Sequence, residues 1–335
     1  MKAIFKDVNI SAISTTLPKD VKCIDEQIDK FYNGNQKQLN RIKKNIGINF
    51  RHISDQETTT LNLCYRSSLD IINNFSDIHL DALIFVTQTP DFLQPNNSHL
   101  LHGMLNLDQE CLCFDINQGC SGYVYGLYVA FSLLHNGNCK NILLCVGDTI
   151  SKIVDPKDSN TAPLFGDAGS ATLLQKKQTN DNAYFILNSL GSGWNNIWLP
   201  NSAFKKTKDC SFLKMNGAEV FNFSIEKEMN SISNLLQFSN MEIENIDYLF
   251  FHQANLYIIN NIARKLKLPL DKVPTASIAK YANTSSASIP LAICDLFQAK
   301  IKEHKKVILS GFGVGLSWAS CCLSLNDTLI FKNIG

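Results

Sequence analysis

The stretch Cys111–Leu134, CLCFDINQGCSGYVYGLYVAFSLL, decides the reading of this chain. Its first six residues, Cys111–Ile116, have the short apolar pattern of a buried strand. The apolar residues after Gly122 recur at helical spacing. Between them lies Asn117-Gln118-Gly119-Cys120-Ser121-Gly122, a turn with glycines on both sides of a cysteine. Glycine permits a sharp turn and close approach by a ligand. A thiol at a helix N-terminus meets free N–H groups and the positive end of the helix dipole, which favour the thiolate. A strand-to-helix turn is also a device for exposing a nucleophile. Cys120 is therefore the candidate nucleophile, against the alternative of a buried cysteine in a tight turn.

Working outward, the pattern occurs twice. Asp81–Thr89 (DALIFVTQT) reads as a buried strand about thirty residues before this stretch, and Lys140–Asp148 (KNILLCVGD) as another after it. In the second half, Ile246–Ala254 (IDYLFFHQA) reads as a strand, Lys280–Phe297 (KYANTSSASIPLAICDLF) as the opening of a helix, and Lys305–Gly313 (KKVILSGFG) as a strand. Continuous apolar strands alternating with helices imply sheets covered on both faces, an α/β fold. Two similar halves are expected, 1–175 and 176–335, with the polar segment Lys176–Ala183 as the boundary. Equivalent strand ends and helix starts would then face one shared site.

His252 ends the apolar strand of the second half and can serve as hydrogen-bond donor or proton acceptor there; a structural, hydrogen-bonded histidine is the alternative. Asn283 lies at the helix start that answers the one bearing Cys120. It can cap that helix or aim an amide donor at the same reacting group. Gly311-Phe312-Gly313-Val314-Gly315 lacks the register of a dinucleotide loop, and its backbone N–H groups can instead stabilise an oxyanion.

Bulk properties narrow the class. The 335 residues are 45% hydrophobic and 18% charged, with a formal net charge of +1. That balance builds a large core and offers no global field for nucleic acid or an anionic membrane. The 11 cysteines lack zinc-site spacing and fit a reducing compartment. No apolar run approaches the roughly 20 residues of a bilayer span, and the N-terminus has no signal-peptide pattern. A soluble cytoplasmic protein is expected.

The stretches FDINQGCSGYVYGL, LFGDAGSA, FHQAN, YANTSSASIP and GFGVGLSW run from Phe114 to Trp318. Together, in order and spacing, they resemble the β-ketoacyl-acyl-carrier-protein synthase III family of the thiolase superfamily. The resemblance implies a five-layered αβαβα fold of two duplicated halves, a homodimer, and a catalytic set of Cys120, His252 and Asn283. It implies acyl transfer from an acyl thioester, on coenzyme A or an acyl carrier protein, to Cys120. Decarboxylative condensation with malonyl-carrier protein would follow, with the N–H groups of Cys120 and Val314 as oxyanion donors and no metal or redox cofactor. An acyltransferase of the same fold, moving an acyl group to an amine or hydroxyl in a sugar or secondary-metabolite pathway, is the alternative. The chemistry of the related hydroxymethylglutaryl synthases needs a glutamate where TQTPDF (Thr87–Phe92) offers only Asp91.

There are departures from the family pattern. Arg41 stands where housekeeping members hold the tryptophan that stacks on adenine, and Asn45 where they hold an arginine. FGDAGSA differs from the common FGDGAGA at Ala168-Gly169-Ser170. Lys43, Lys44 and Arg51 are candidate phosphate ligands, or members of a solvated charged face. Arg264, Lys265 and Lys267 are a candidate docking patch for an acidic carrier, or favourable charges at a helix C-terminus.

Overall fold

The computed structural model describes residues 1–75 and 78–335. Two sheets carry the fold. One has seven strands, in the order Lys300–Ile301, Thr328–Ile334, Val8–Leu17, Ala168–Lys176, Asn141–Asp148, Ala82–Val86, Leu112–Ile116. The other has five, in the order Lys2–Phe5, Ala183–Ser189, Ser317–Leu325, Lys305–Gly313, Tyr248–Phe251.

The repeat read from the sequence is present in the pairing. Ala82–Val86 runs parallel to Asn141–Asp148, which pairs antiparallel with Ala168–Lys176 and, through it, with Val8–Leu17. Tyr248–Phe251 runs parallel to Lys305–Gly313, followed by the antiparallel strands Ser317–Leu325 and Ala183–Ser189.

Helices Gly122–Asn136 and Ser288–Phe297 lie between the sheets. Both are apolar around most of their circumference, as a helix must be when it has a sheet on either side. Tyr123, Leu127 and Phe131 from the first, and Ile289 and Ile293 from the second, join side chains of both sheets in one core. Thr60–Asn74 covers the outer face of the seven-stranded sheet and Gly217–Ser239 that of the five-stranded sheet, giving five layers, αβαβα.

Two features depart from the linear reading. The ends of the chain cross between the halves: Lys2–Phe5 pairs with Ala183–Ile186 in the second sheet, and Thr328–Ile334 with Ala12–Leu17 in the first. The connection at 177–182 passes between sheets, but it does not separate two self-contained units. The helix expected over Lys280–Phe297 is broken. Ala276–Tyr281 ends before Ala282, which has φ 60°, and after a turn at Ser285–Ala287 a new helix starts at Ser288.

Glu228, on the inner face of Gly217–Ser239, is fully buried. One carboxyl oxygen accepts from the Ser310 hydroxyl, and the other has no partner among the described residues. Burial pushes its carboxyl up to about 8 from its ordinary 4.5, so it is held protonated at neutral pH. A raised folded-state value contributes stability that is full below 4.5 and lost as pH rises through about 8. Each pH unit in that window corresponds to about 1.4 kcal/mol. Glu228→Gln removes the titration and keeps a side chain of the same shape. The variant is expected to lose less stability than the parent between pH 5 and 8 in urea unfolding (about 1 kcal/mol or more of difference across the window). Parallel pH profiles of parent and variant would refute a buried protonated carboxyl.

Candidate active site

Cys120 follows the strand Leu112–Ile116 and stands two residues before the helix Gly122–Asn136. The second half's glycine loop closes over it. A Cβ on Gly311 would lie 2.7 Å from the Cys120 carbonyl oxygen, and one on Gly313 would lie 2.9 Å from its Cβ and 3.0 Å from its Sγ. Only glycine permits that approach. It brings the Val314 N–H to the thiol, beside the N–H of Cys120 itself. Cys120 is half-buried in the cavity wall; these donors favour the thiolate, but loss of solvation at the sulfur outweighs them. With Asp148 adding like-charge repulsion, the thiol is pushed up to about 12. The expectation of a thiolate favoured by the helix N-terminus is corrected in this respect: the resting group is the protonated thiol.

His252 follows Tyr248–Phe251 directly, and its N–H donates to the Ser310 carbonyl at 2.7 Å. Its ring is buried, with Phe312 packed edge-on at 5.6 Å. Nδ1 lies 2.7 Å from Ser288 Oγ. Burial pulls the imidazole down to about 3, although the Ser285 carbonyl facing the ring works in the other direction. His252 is therefore neutral near pH 7.

Asn283 does not cap the following helix, which starts at Ser288 with Ala287 before it. Its backbone is held by Leu164 and Gly166 at 3.0 Å each. Its Oδ1 accepts the Ser285 N–H at 2.9 Å. Because the partner is a donor, the amide oxygen must face it, and the two protons of Nδ2 remain for the cavity.

Cys120, His252, Asn283, Ser285 and Val314 all line one cavity of about 1780 Å³. The sequence residues expected to meet at a shared site are thus brought together. No group of three or more His, Cys, Asp or Glu able to hold a metal occurs among the described residues.

The expected binding residues separate. Lys44, Arg264, Lys265 and Lys267 are exposed, and Lys43 pairs with Asp25 at 2.6 Å. They lie at the ends of neighbouring helices, Gln36–Ile46 and Leu256–Lys265, which also give Ile42, Ile46, Tyr257 and Ile258 to the cavity wall. Arg51 does not belong with them. It is buried, and its guanidinium donates to the carbonyls of Ala162 and Phe165 and to Gln27 Oε1, so no donor face is turned to a ligand phosphate. The sequence reading missed Ser285, Ser288 and Asp148. Asp148 had a signal, a carboxylate closing a fully apolar strand. The two serines had none beyond their place in YANTSSASIP.

Comparison with known proteins bears on the same residues. The family described as 3-oxoacyl-[acyl-carrier-protein (ACP)] synthase III matches residues 114–192, and its C-terminal counterpart matches 236–325. The chain is 39% identical to a putative 3-oxoacyl-[acyl-carrier-protein] synthase 3 of Campylobacter jejuni, covering 100% of this chain and 98% of the relative. It is 33% identical to a beta-ketoacyl-[acyl-carrier-protein] synthase III of Streptococcus agalactiae, covering 85% and 90%. The crystal structure of a 3-oxoacyl-(acyl-carrier protein) synthase from Burkholderia xenovorans superposes with a TM-score of 0.94 at 33% identity, covering 100% and 98%.

A thiol raised this far reacts slowly with alkylating agents at neutral pH. Peptide mapping after iodoacetamide treatment should show Cys120 modified more slowly than the exposed Cys210 at pH 7. Its rate should still rise past about pH 9, above the ordinary cysteine range near 8.5. A plateau below pH 8 would mean that the helix terminus and the two N–H groups overcome burial after all.

Proposed function

Because the chain belongs to the 3-oxoacyl-[acyl-carrier-protein] synthase III family of condensing acyltransferases, we propose that Cys120 is its acyl carrier and that His252 and Asn283 generate the attacking carbon. The observation that carries this reading is the convergence on one cavity of a thiol beside two backbone N–H groups and an amide whose donor end is left free.

In the first half-reaction the Cys120 sulfur attacks the carbonyl of an acyl thioester. The developing oxyanion is held by the N–H groups of Cys120 and Val314; the carbon–sulfur bond to the donor breaks, the donor thiol leaves with the proton lost by Cys120, and the acyl group stays on the enzyme. In the second, Nε2–H of His252 and Nδ2–H of Asn283 hydrogen-bond the thioester carbonyl of a malonyl unit. Loss of carbon dioxide leaves an enolate stabilised by those two donors. Its carbon attacks the acyl-cysteine, forming a 3-oxoacyl thioester and releasing the Cys120 thiolate, which takes up a proton from solvent. A neutral His252 suits this role in the tautomer that carries its proton on Nε2 and accepts from the Ser288 hydroxyl at Nδ1. In this reading the chemistry calls for no metal or redox group. No observation favours transfer to an amine or hydroxyl.

Several finer points belong to the same proposal. Acyl carrier protein is the partner, docking at the exposed Arg264, Lys265 and Lys267 beside the cavity. Coenzyme A thioesters are possible donors, with Lys43 and Lys44 as phosphate contacts and no aromatic ring at Arg41 to stack on adenine. A homodimer is supported by the unpaired outer edge of Leu112–Ile116, the last strand of its sheet, where Leu112 is exposed. A cytoplasmic setting is supported by eleven free cysteines, and no helix among the described residues is long and apolar enough to cross a membrane.

Cys120→Ala should abolish the acyl adduct seen by intact-protein mass spectrometry. His252→Ala and Asn283→Ala should still be acylated but lose malonyl decarboxylation by roughly 100-fold, the scale for removing an oxyanion donor. An adduct that survives Cys120→Ala, or decarboxylation that survives both other variants, would overturn these roles. For the carrier, charge reversal at Arg264 and Lys267 should slow acylation from acyl-carrier thioesters, and added salt should do the same. It should leave acylation from the coenzyme A thioester comparatively little affected. Equal rates from both donors, insensitive to charge reversal, would refute a carrier preference.

A further inference from the structure

On the first-half side of the cavity, most polar side chains are spent on the protein itself. Thr89 donates to Asp148, Asp91 accepts from the Leu61 N–H and the Asn97 amide, and Thr59 is bonded to Asn62. Two carboxamides beside the thiol are not spent in this way. Gln88 and Asn117 both line the cavity with Cys120. Gln88 stands two residues beyond the strand Ala82–Val86, and Asn117 directly follows its parallel neighbour Leu112–Ile116. That pairing brings the side chains together, and Gln88 Nε2 donates to Asn117 Oδ1 at 3.1 Å.

The Gln88 amide is held close to the nucleophile. Its backbone N–H donates to the buried Asp148 at 2.8 Å. Its Oε1 lies against the Cα of Gly119, the residue before Cys120: a Cβ there would stand 2.4 Å from that oxygen and 3.3 Å from Val314 Cβ. The amide is thus one residue from the thiol, on the side of the turn that faces Val314.

Two carboxamides together carry four N–H groups and two carbonyl oxygens, and their mutual bond uses one of each. No other hydrogen bond engages either side chain among the described residues. Three N–H groups and one carbonyl oxygen are left, and that count is the same whichever way each amide is turned. The pair can therefore both donate and accept.

Charge tells which part of a substrate meets them. The cavity also takes Ile42, Ile46 and Tyr257 from helices whose ends carry the exposed Lys44, Arg264 and Lys265. Phosphate or an acidic carrier is drawn to that end. The acyl group of a thioester at Cys120 is left the other end, where Gln88 and Asn117 stand beside Pro90, Phe92 and Leu93.

Resting on the reading of Cys120 as acyl carrier, we propose that the acyl group carries a hydroxyl within a few carbons of its carbonyl, and that Gln88 and Asn117 recognise it. A hydroxyl donates once and accepts at its lone pairs, which matches the groups the pair has to offer. An unsubstituted alkyl chain would cover the amides and leave them without partners. A site built to bond a substrate hydroxyl rejects the analogue that lacks it, because the protein's polar groups are then stranded. Gln88 and Asn117 are specificity residues in this assignment, and the bond-making steps do not pass through them.

The test is competition for Cys120. Butyryl thioester is mixed in equal amount with 2-hydroxybutyryl or 3-hydroxybutyryl thioester, in each enantiomer, on coenzyme A and on acyl carrier protein. Intact-protein mass spectrometry reads the ratio of the two adducts, which differ by one oxygen. At least one hydroxybutyryl donor is expected to outrun butyryl by about tenfold, the scale of one well-made hydrogen bond. Gln88→Met and Asn117→Leu remove the amides and keep an apolar side chain of similar bulk. The ratio is expected to fall to within about twofold of unity in either variant. Both donors compete for the same protein molecules, so a general loss of activity cancels from the ratio.

A contact with a second copy of the chain is the competing use of these amides, since Asn117 is exposed and follows the free edge strand Leu112–Ile116. In that case both variants would weaken self-association in analytical ultracentrifugation and leave the parent's acyl ratio as it was. That result would overturn the proposal. So would a parent that takes butyryl as readily as every hydroxybutyryl donor. A parent that forms no adduct with any thioester would overturn the acyl-carrier reading itself, and the recognition of a hydroxyl with it.

Discussion

The close approach of Gly311–Gly313 to Cys120 is the constraint on which the rest of the site depends. It joins the end of a strand in one half to the start of a helix in the other, with no space for a single β-carbon between them. That contact fixes the distance between the two sheets at the point where chemistry would occur. It also supplies the Val314 N–H, which no side chain could place so near the sulfur. The two central helices complete the arrangement. Each is buried between sheets, so neither can shift without opening the core built by Tyr123, Phe131 and Ile293.

Loss of solvation then sets the electrical character of the titratable groups there. Burial raises the Cys120 thiol, lowers the His252 imidazole and raises the Asp148 carboxyl. All three shifts move toward the uncharged form, as expected where water is excluded. The thiol and the imidazole are thus uncharged at rest, and the site is populated by fixed donors: two N–H groups at the thiol and the Asn283 amide. Such a site gains most when negative charge develops on a substrate oxygen, because the donors are already oriented.

Much of this was legible in the sequence because it rests on periodicity and on turns that demand particular residues. The buried strands around Ile84, Leu144, Phe250 and Leu309 and the turn at Cys120 follow from apolar runs and glycine placement. The motifs around Cys120, His252 and Asn283 carried the family. Three things were not legible, each for a physical reason. The crossing of Lys2–Phe5 and Thr328–Ile334 between sheets is a matter of long-range pairing, which local pattern does not encode. Arg51 looked like a surface cation, but carbonyl acceptors from distant Ala162 and Phe165 receive it indoors. The capping alternative for Asn283 does not hold, because the positive φ of Ala282 and Ser285, which breaks the helix, falls on residues that do not announce it.

The duplicated fold also explains how the labour is divided. One half contributes the thiol at the start of a helix, and the other contributes, from the matching place, the turn that carries Asn283 and Ser285. The matching strand ends contribute His252 in one half and the Thr87–Thr89 segment in the other, and Thr87 and Thr89 donate to Asp148 rather than to the cavity's centre. The two halves are therefore alike in backbone and opposite in use. One supplies the group that reacts with a carbonyl carbon, and the other supplies donors for a carbonyl oxygen. Asp148 belongs to the first half by chain and to the second by contact, through Ser286. A symmetric scaffold becomes an asymmetric site at that carboxylate, because only one of the two equivalent strands that run into the site, Asn141–Asp148 and Lys305–Gly313, ends in a charge. The other ends in the glycine that lets Cys120 come close.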